Sequence, residues 1–273
     1  MSDLVNILVL ALVGSVVALA GGVIFLLKKN WSQFLSAYSV PFAAGVLLAV
    51  SLLGLLPEAV YMYGERAFLI VLMTFLAAYL FEHFFFCIHH HDHDCKHGLR
   101  YRVAIPIVIV GDTIHNFIDG VAIAATYLVN PGLGVITTVS TFLHEVPHEI
   151  GDFGILLKAG WKRKKILLVN ILSASTTIVG ALVVVLWINS PELIGILLAV
   201  SAGLFLYLGA SDFLPHIHEG KIDEKKAILA LFVGVVIMFL TLRVVPHSHG
   251  EEHDHEDEHE QMEERIAVEN KDY

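Results

Sequence analysis

The sequence predicts an all-α polytopic membrane protein with eight transmembrane helices, and three observations predict it. The chain has 273 residues, is 56% apolar and has a mean hydropathy of +0.71. These values exclude an ordinary soluble domain. Eight apolar segments are each long enough to cross a hydrocarbon core of ~30 Å. The loop cations sort onto alternate ends of those segments. Helices are the economical spanning element, because their backbone groups are satisfied internally.

Taken in order, the segments run 4–27, 35–56, 67–86, 102–129, 132–157, 166–188, 191–214 and 227–245. The opening Met1-Ser2-Asp3 lacks a basic region, and the apolar run behind it is too long for a cleaved signal, so it reads as a first span. Span three ends at a His-rich loop, residues 87–100. Spans four and five are joined by Asn130-Pro131 alone, which makes them an antiparallel helical hairpin. Asn189-Ser190 joins six and seven as tightly. Residues 1–246 form one eight-span domain, and residues 247–273 form a His- and acid-rich tail that we expect to be disordered.

With the N-terminus outside, the cytoplasmic loops hold Lys28 and Lys29; Lys96, Arg100 and Arg102; Lys158, Lys162, Arg163, Lys164 and Lys165; and Lys221, Lys225 and Lys226. That is 13 of the 17 Lys and Arg. The outer side keeps Arg66, Arg243, Arg265 and Lys271. The positive-inside rule then places both termini outside the cytoplasm. The net charge of −10 comes mostly from the tail. The rest is near neutral, so no nucleic-acid partner is expected. Cys87 and Cys95 flank the His cluster and read as thiols or metal ligands of a reducing compartment.

Spans two and seven share a pattern. Each carries Ala-Gly (Ala44-Gly45, Ala202-Gly203), and eleven residues later Leu-Pro closes it, at Leu56-Pro57 and Leu214-Pro215. The charge rule gives these two spans opposite directions, as in an inverted repeat.

Two stretches put ligand-type side chains at membrane depth. On span four, Asp112, His115, Asn116 and Asp119 recur at i, i+3, i+4 and i+7, along one helix face. Gly111 and Gly120 flank that stripe and would admit a neighbouring backbone. On span five, His144 and His148 are one turn apart, as are Glu145 and Glu149, and Asp152 continues the face. Pro147 cannot donate to the carbonyl of Leu143, which frees an oxygen beside the ligands. An ionisable group at the bilayer centre costs about 2.5–3.5 kcal/mol or more unless it meets a partner. Interhelical hydrogen bonds return about 0.6 kcal/mol each, too little to account for so many. A bound cation accounts for them better. Three imidazoles with carboxylates suit Zn²⁺ rather than Ca²⁺ or Mg²⁺, with Fe²⁺, Mn²⁺ and Co²⁺ chemically admissible.

His144-Glu145-Val146-Pro147-His148 also satisfies the HExxH pattern of zinc peptidases. An intramembrane metalloprotease is therefore the rival reading. Against it stand the Pro in the helix, the surplus of ligands on span four and the lack of a separate downstream segment with an obvious third ligand and a substrate-gating motif. The expectation is no enzyme, no catalytic residue and no catalytic cofactor.

His115-Asn116-x-x-Asp119-Gly120 followed by His144-Glu145-x-Pro147-His148-Glu149-x-Gly151-Asp152 resembles the ZIP family of divalent metal transporters, in the branch whose fifth span reads HExPHExGD. The resemblance extends to the eight spans, the His-rich loop after span three and Pro57-Glu58 after span two. It implies import of a divalent metal ion, Zn²⁺ foremost, into the cytoplasm. It also implies inverted repeats of spans 1–3 and 6–8 around spans 4–5, and a homodimer. It carries the main transport site onto His115, Asp119, His144 and His148, and an adjacent one onto Asn116, Glu145 and Glu149. This chain has His148 where many bacterial relatives place a bridging Glu.

The loop from Cys87 to His97 reads as a cytoplasmic receiver of metal, and His247, His249, His253, His255 and His259 as an outer collector. Asp212, His216 and His218 near the inner end of span seven, with Glu82 and His83 on span three, are placed to line an exit path. Asn170 and Ser173 on span six would add ligands. The lipid bilayer is the expected surrounding, and the short tails lean towards the plasma membrane of a prokaryote.

Overall fold

The computed structural model describes residues 2–19, 23, 29–87, 97–188, 190–215 and 223–246, and among them every regular element is a helix. Helix α1 (Ser2–Leu12) runs into a π-helical stretch, Val13–Val17. Helix α2 (Lys29–Val50) continues through a second π stretch, Ser51–Leu55, into α3 (Leu56–Tyr63). Gly64, at φ 72°, turns the chain into α4 (Arg66–Cys87). Then come α5 (His97–Val129) and α6 (Pro131–Lys158), followed by α7 (Arg163–Ala174) and α8 (Thr176–Trp187), which are separated only by Ser175. Helix α9 (Pro191–Tyr207) passes into a third π stretch, Leu208–Phe213, and α10 (Glu224–Val244) is the last described helix. Residues 88–96 of the His-rich loop, His216, His218 and the tail from His247 lie outside the described residues.

By length and composition, five helical stretches among the described residues can cross a membrane: Tyr38–Tyr63, Arg66–Phe84, Arg163–Trp187, Pro191–Phe213 and Glu224–Val244. A shorter apolar helix covers Asp3–Val17. Helices α5 and α6, at 33 and 28 residues, are longer than any of these and carry the polar stretches. The protein is thus an all-helical polytopic membrane protein. The exposed apolar side chains of α4 and α10, among them Phe68, Leu72, Leu229 and Phe232, suit a hydrocarbon surrounding.

The hairpin of α5 and α6 is tighter than its sequence suggests. Only Asn130 lies outside helix, and its Oδ1 accepts from the backbone N–H of Gly132 (2.8 Å) and of Leu133 (3.3 Å). Pro131 needs no donor at the first helical position, so one residue caps α6 and closes the turn. Helix α5 also packs against α8 and α9, and α6 against α2. Helix α2 packs most extensively on α10, and α9 on α4 and α3.

Glycines set the closest of these crossings. A Cβ on Gly120 would lie 1.9 Å from the carbonyl oxygen of Thr177, and one on Gly180 2.1 Å from that of Phe117. The α5–α8 crossing is therefore backbone on backbone from both sides. The α2–α10 crossing repeats the device: Gly45 would meet the Leu231 carbonyl at 2.1 Å, and Gly234 that of Phe42 at 2.2 Å. On α9, Gly203 would meet the Val71 carbonyl of α4 at 2.6 Å. Gly111, expected to act like Gly120, has nothing within 4 Å, because it lies on a half-exposed flank of α5.

The two glycines flanking the polar stripe should thus respond oppositely to the same change. Gly120→Ala is expected to destabilise by about 1–3 kcal/mol, since backbone must move. Gly111→Ala should be neutral or slightly stabilising, by up to about 1 kcal/mol of helix propensity. Thermal unfolding of the two variants in detergent checks the contrast.

Candidate metal centre

The antiparallel hairpin pairs the stripe of α5 with that of α6, turn for turn. His115, Asp119, His144 and Glu145 are buried, with side-chain exposures of 5%, 0%, 0% and 0%. Each offers a donor atom, and the four atoms lie within 4.8 Å of one another. Asp119 Oδ2 is 3.2 Å from His144 Nε2 and 3.8 Å from His115 Nε2, and Glu145 Oε1 is 3.1 Å from His115 Nε2. Donors about 2.0–2.2 Å from a tetrahedral Zn²⁺ stand about 3.3–3.6 Å from each other. The observed separations bracket that value.

Many of these atoms make no hydrogen bond. Both ring nitrogens of His115, His144 Nδ1, Asp119 Oδ1 and both oxygens of Glu145 are buried and make no hydrogen bond. An unmet buried donor or acceptor costs about 1–3 kcal/mol, more when charged. The carboxylates of Asp119 and Glu145, with oxygens no more than 4.8 Å apart, also repel by roughly 3.5 kcal/mol or more at an effective dielectric of about 20. A divalent cation at the centre converts both penalties into coordination. Phe205 of α9 closes the cluster on its apolar side, its ring 5.5 Å from that of His144 and 6.5 Å from that of His115.

The remaining expected site residues sit beside this cluster. His148 falls with Asp112 and Asp152 in a second group of donors, also within 4.8 Å of one another. Asn116 is fully engaged: its Nδ2 donates to Asp112 Oδ1 (2.9 Å), and its Oδ1 accepts from Thr177 Oγ1 of α8 (3.1 Å). Glu149 turns towards α7, where Asn170 Nδ2 donates to its Oε2 at 2.5 Å while Oε1 is unpartnered. Ser173 donates to Thr113 Oγ1 (3.3 Å). Glu82 accepts from the hydroxyl of Tyr207, His83 stacks on Tyr79, and among the described residues neither joins a metal-type cluster. Helix α6 continues through Pro147, whose ring lines an apolar cavity of about 610 Å³ with Phe42, Leu143 and Val146.

Residues 87–242 match the family described as ZIP zinc transporter. The chain belongs to the ZIP family. Among its relatives, the zinc transporter foi of Drosophila melanogaster is 37% identical over 137 residues, covering 49% of this chain and 19% of that protein. Zinc transporter ZIP10 of Homo sapiens is 39% identical over 130 residues, 44% of this chain and 15% of the relative. Zinc transporter ZIP4 of Mus musculus is 41% identical over 132 residues, 48% and 20% respectively. This ZIP chain therefore spans a fifth or less of the length of these relatives. All three are named as zinc transporters, not as enzymes.

The peptidase reading finds no support. In a zinc peptidase both His of HExxH hold one ion and the Glu activates water. Here His144 and His148 fall in different clusters, and Glu145 stands among the ligand atoms of the first.

Sequence reasoning left Asn170 unplaced and missed Phe205 and Thr177. Nothing in linear order ties a phenylalanine on α9 to a histidine on α6. For Thr177, the signal was its place three residues before Gly180, where α8 touches α5. Replacing Asn170 by Ala leaves a buried carboxylate oxygen of Glu149 without its donor. Thermal unfolding should register a loss of about 1–3 kcal/mol.

Proposed function

We propose that this ZIP protein imports Zn²⁺ into the cytoplasm through the hairpin of α5 and α6. The observation that carries the reading is the buried cluster of His115, Asp119, His144 and Glu145, with donor atoms within 4.8 Å and most of them otherwise unpartnered. The names of the relatives support zinc as the cargo. Asn116, His148 and Glu149 complete the metal-handling set: His148 as a ligand, Asn116 and Glu149 as polar groups bordering the path.

The architecture we infer has eight spans, with 1–3 and 6–8 as inverted repeats around 4–5. Its support is a correspondence along two helical stretches. Gly45 and Gly203 each mark a close crossing, onto α10 and α4 respectively. Each is followed by a π stretch, Ser51–Leu55 in one and Leu208–Phe213 in the other, and then by Leu-Pro. Under the repeat, the α2–α10 contact and the α9–α4 contact are equivalents. π stretches are frequent at functional sites, and this pair flanks the metal-bearing hairpin. Alternating access would rock one repeat against the other around the fixed site.

The distribution of Lys and Arg supports both termini outside the cytoplasm in a plasma membrane. The exposed apolar faces of α4 and α10 leave room for a second copy, so a homodimer is included in the proposal. Residues 1–246 are the transport domain, and the loop at 87–100 and the tail at 247–273 are accessory metal-affine segments.

Uptake of radioactive zinc into proteoliposomes tests the reading. His144→Ala is expected to lower flux by at least about tenfold, as for loss of a ligand or its partner. Equal flux in wild type and variant would remove the assignment. Glu145→Gln should alter flux too, with no cleavage of any helix in either form. Neutral imidazole is the binding form, so protons compete with the ion. Flux should therefore fall as the outer medium is acidified, and recover when excess zinc is added.

A further inference from the structure

The apolar cavity beside Pro147 differs from one end to the other. Its volume is about 610 Å³, and its walls come from three helices: Phe42 of α2, Phe142 and Val146 of α6, and Leu229 and Val233 of α10. Among the described residues, its polar lining is Tyr38, Ser39 and Lys226. Each of these stands nearer the start of its helix than Phe42 or Val233 does. Helices α2 and α10 both start at the cytoplasmic side under the charge rule. The polar groups therefore gather at that end, and the apolar walls run from it towards the bilayer centre. Ser39 is 9% exposed, and its hydroxyl is buried without a hydrogen bond. Leu229 and Val233 are exposed, so the cavity opens sideways to the hydrocarbon around the protein.

The chemistry of this lining selects its occupant. A recess that is apolar along its depth and cationic at its mouth fits a hydrocarbon chain that ends in an anion. From Lys226 to Val233 is about 10 Å along the helix axis, which lies within one leaflet's share of about 15 Å of the hydrocarbon core. Pockets of about 300–1,000 Å³ hold single small ligands, and this cavity falls in that range. Lys226 Nζ is 3.8 Å from Asp223 Oδ2, but both side chains are exposed. That contact is weak, and a phosphate can displace it. Anionic headgroups of the cytoplasmic leaflet attract Lys at the membrane surface. A second copy of the chain packing on α10 would account for the apolar walls but not for the cationic end.

We propose that this cavity seats one acyl chain of an anionic phospholipid, with the headgroup phosphate at Lys226 and a glycerol ester oxygen accepting from Ser39 Oγ. The chain lies against the rear of the metal-bearing helix. Phe142, Leu143, Val146 and Pro147 share one face of α6, and His144, Glu145 and His148 share the opposite one. Leu143 and Pro147 both line the cavity, and the Leu143 carbonyl lacks the helical hydrogen bond that Pro147 cannot donate. The lipid thus braces α6 against α2 and α10 at its least supported turn. Because the seat exists only when the three helices are packed, lipid binding stabilises the folded chain by mass action.

The leaflet rests on the proposed topology, but detergent micelles have no leaflets, so the site is decided independently of it. The full chain in a neutral detergent is titrated with phosphatidylglycerol or with phosphatidylcholine. Lipids bound per chain are counted by native mass spectrometry, and thermal unfolding is followed in parallel. Wild type should retain one phosphatidylglycerol, bound about fivefold more tightly than phosphatidylcholine, and its Tm should rise with the anionic lipid. Lys226→Gln should lose that preference, and Lys226→Arg should keep it. Ala230→Trp, which fills the cavity, should lose the bound lipid. Leu240→Trp, on an exposed part of the same helix away from the cavity, should keep it. The Lys226 variants change an exposed side chain, so they decide the site even where Ala230→Trp fails to fold. Equal binding of the two lipids by wild type overturns the proposal, as does a preference that survives in Lys226→Gln. Undiminished lipid on a folded Ala230→Trp places the lipid elsewhere on the surface and also overturns it. A shifted monomer–dimer ratio in Ala230→Trp, with the lipid count unchanged, would give the cavity to a second copy instead.

Discussion

The organising constraint in this protein is that carboxylates and imidazoles on α5 and α6 are kept from water and must satisfy one another or a cation. Asp119, His144 and Glu145 are completely buried, yet the hydrogen bonds among them leave most of their atoms unmet. That debt sets what the neighbouring helices supply. Helix α8 brings Thr177 to hold Asn116, and through it Asp112. Helix α7 brings Asn170 to Glu149, and α9 brings Phe205 as an apolar wall. Among the described residues, no hydrogen bond from these neighbours reaches the central donor atoms of His115, Asp119, His144 and Glu145, which keeps them available to a metal ion.

Such a site requires helices that approach closely without side chains in between. In a bilayer no hydrophobic gain separates helix–helix from helix–lipid contact, so close packing of small residues does the work. The reciprocal pairs Gly120–Gly180 and Gly45–Gly234 meet this need with backbone carbonyls in the space a Cβ would fill. The first of them lies next to Asp119 in sequence, so the packing that joins α5 to α8 also positions the ligand. The π stretches after Gly45 and Gly203 are a second shared irregularity, and each ends just before the proline that closes its pattern.

Much of this was legible beforehand. A period of three to four residues between His115, Asn116 and Asp119 puts them on one face whatever the tertiary structure, and the same holds for His144 and His148. A tight turn at Asn130-Pro131 could be anticipated because Pro opens a helix readily and Asn caps it, although the structure leaves only Asn130 outside helix. Other features were not legible. Gly111 and Gly120 look alike in sequence, but only Gly120 faces another backbone. Phe205 and Thr177 carry no local mark of their distant partners. Glu145 and His148 sit on neighbouring turns of the same face, and linear spacing cannot say which cluster each joins.

The sequence by itself determined the helical class, the apolar segments, the ligand types and the face of each helix that bears them. These follow from composition and from helical periodicity, which act within a segment. The tertiary structure alone decided which ligands meet: Glu145 with His115, and His148 with Asp112 and Asp152. That choice depends on the register between α5 and α6 and on how closely α8 and α9 press against them. Contacts across helices set both, and no pattern within a single helix encodes them.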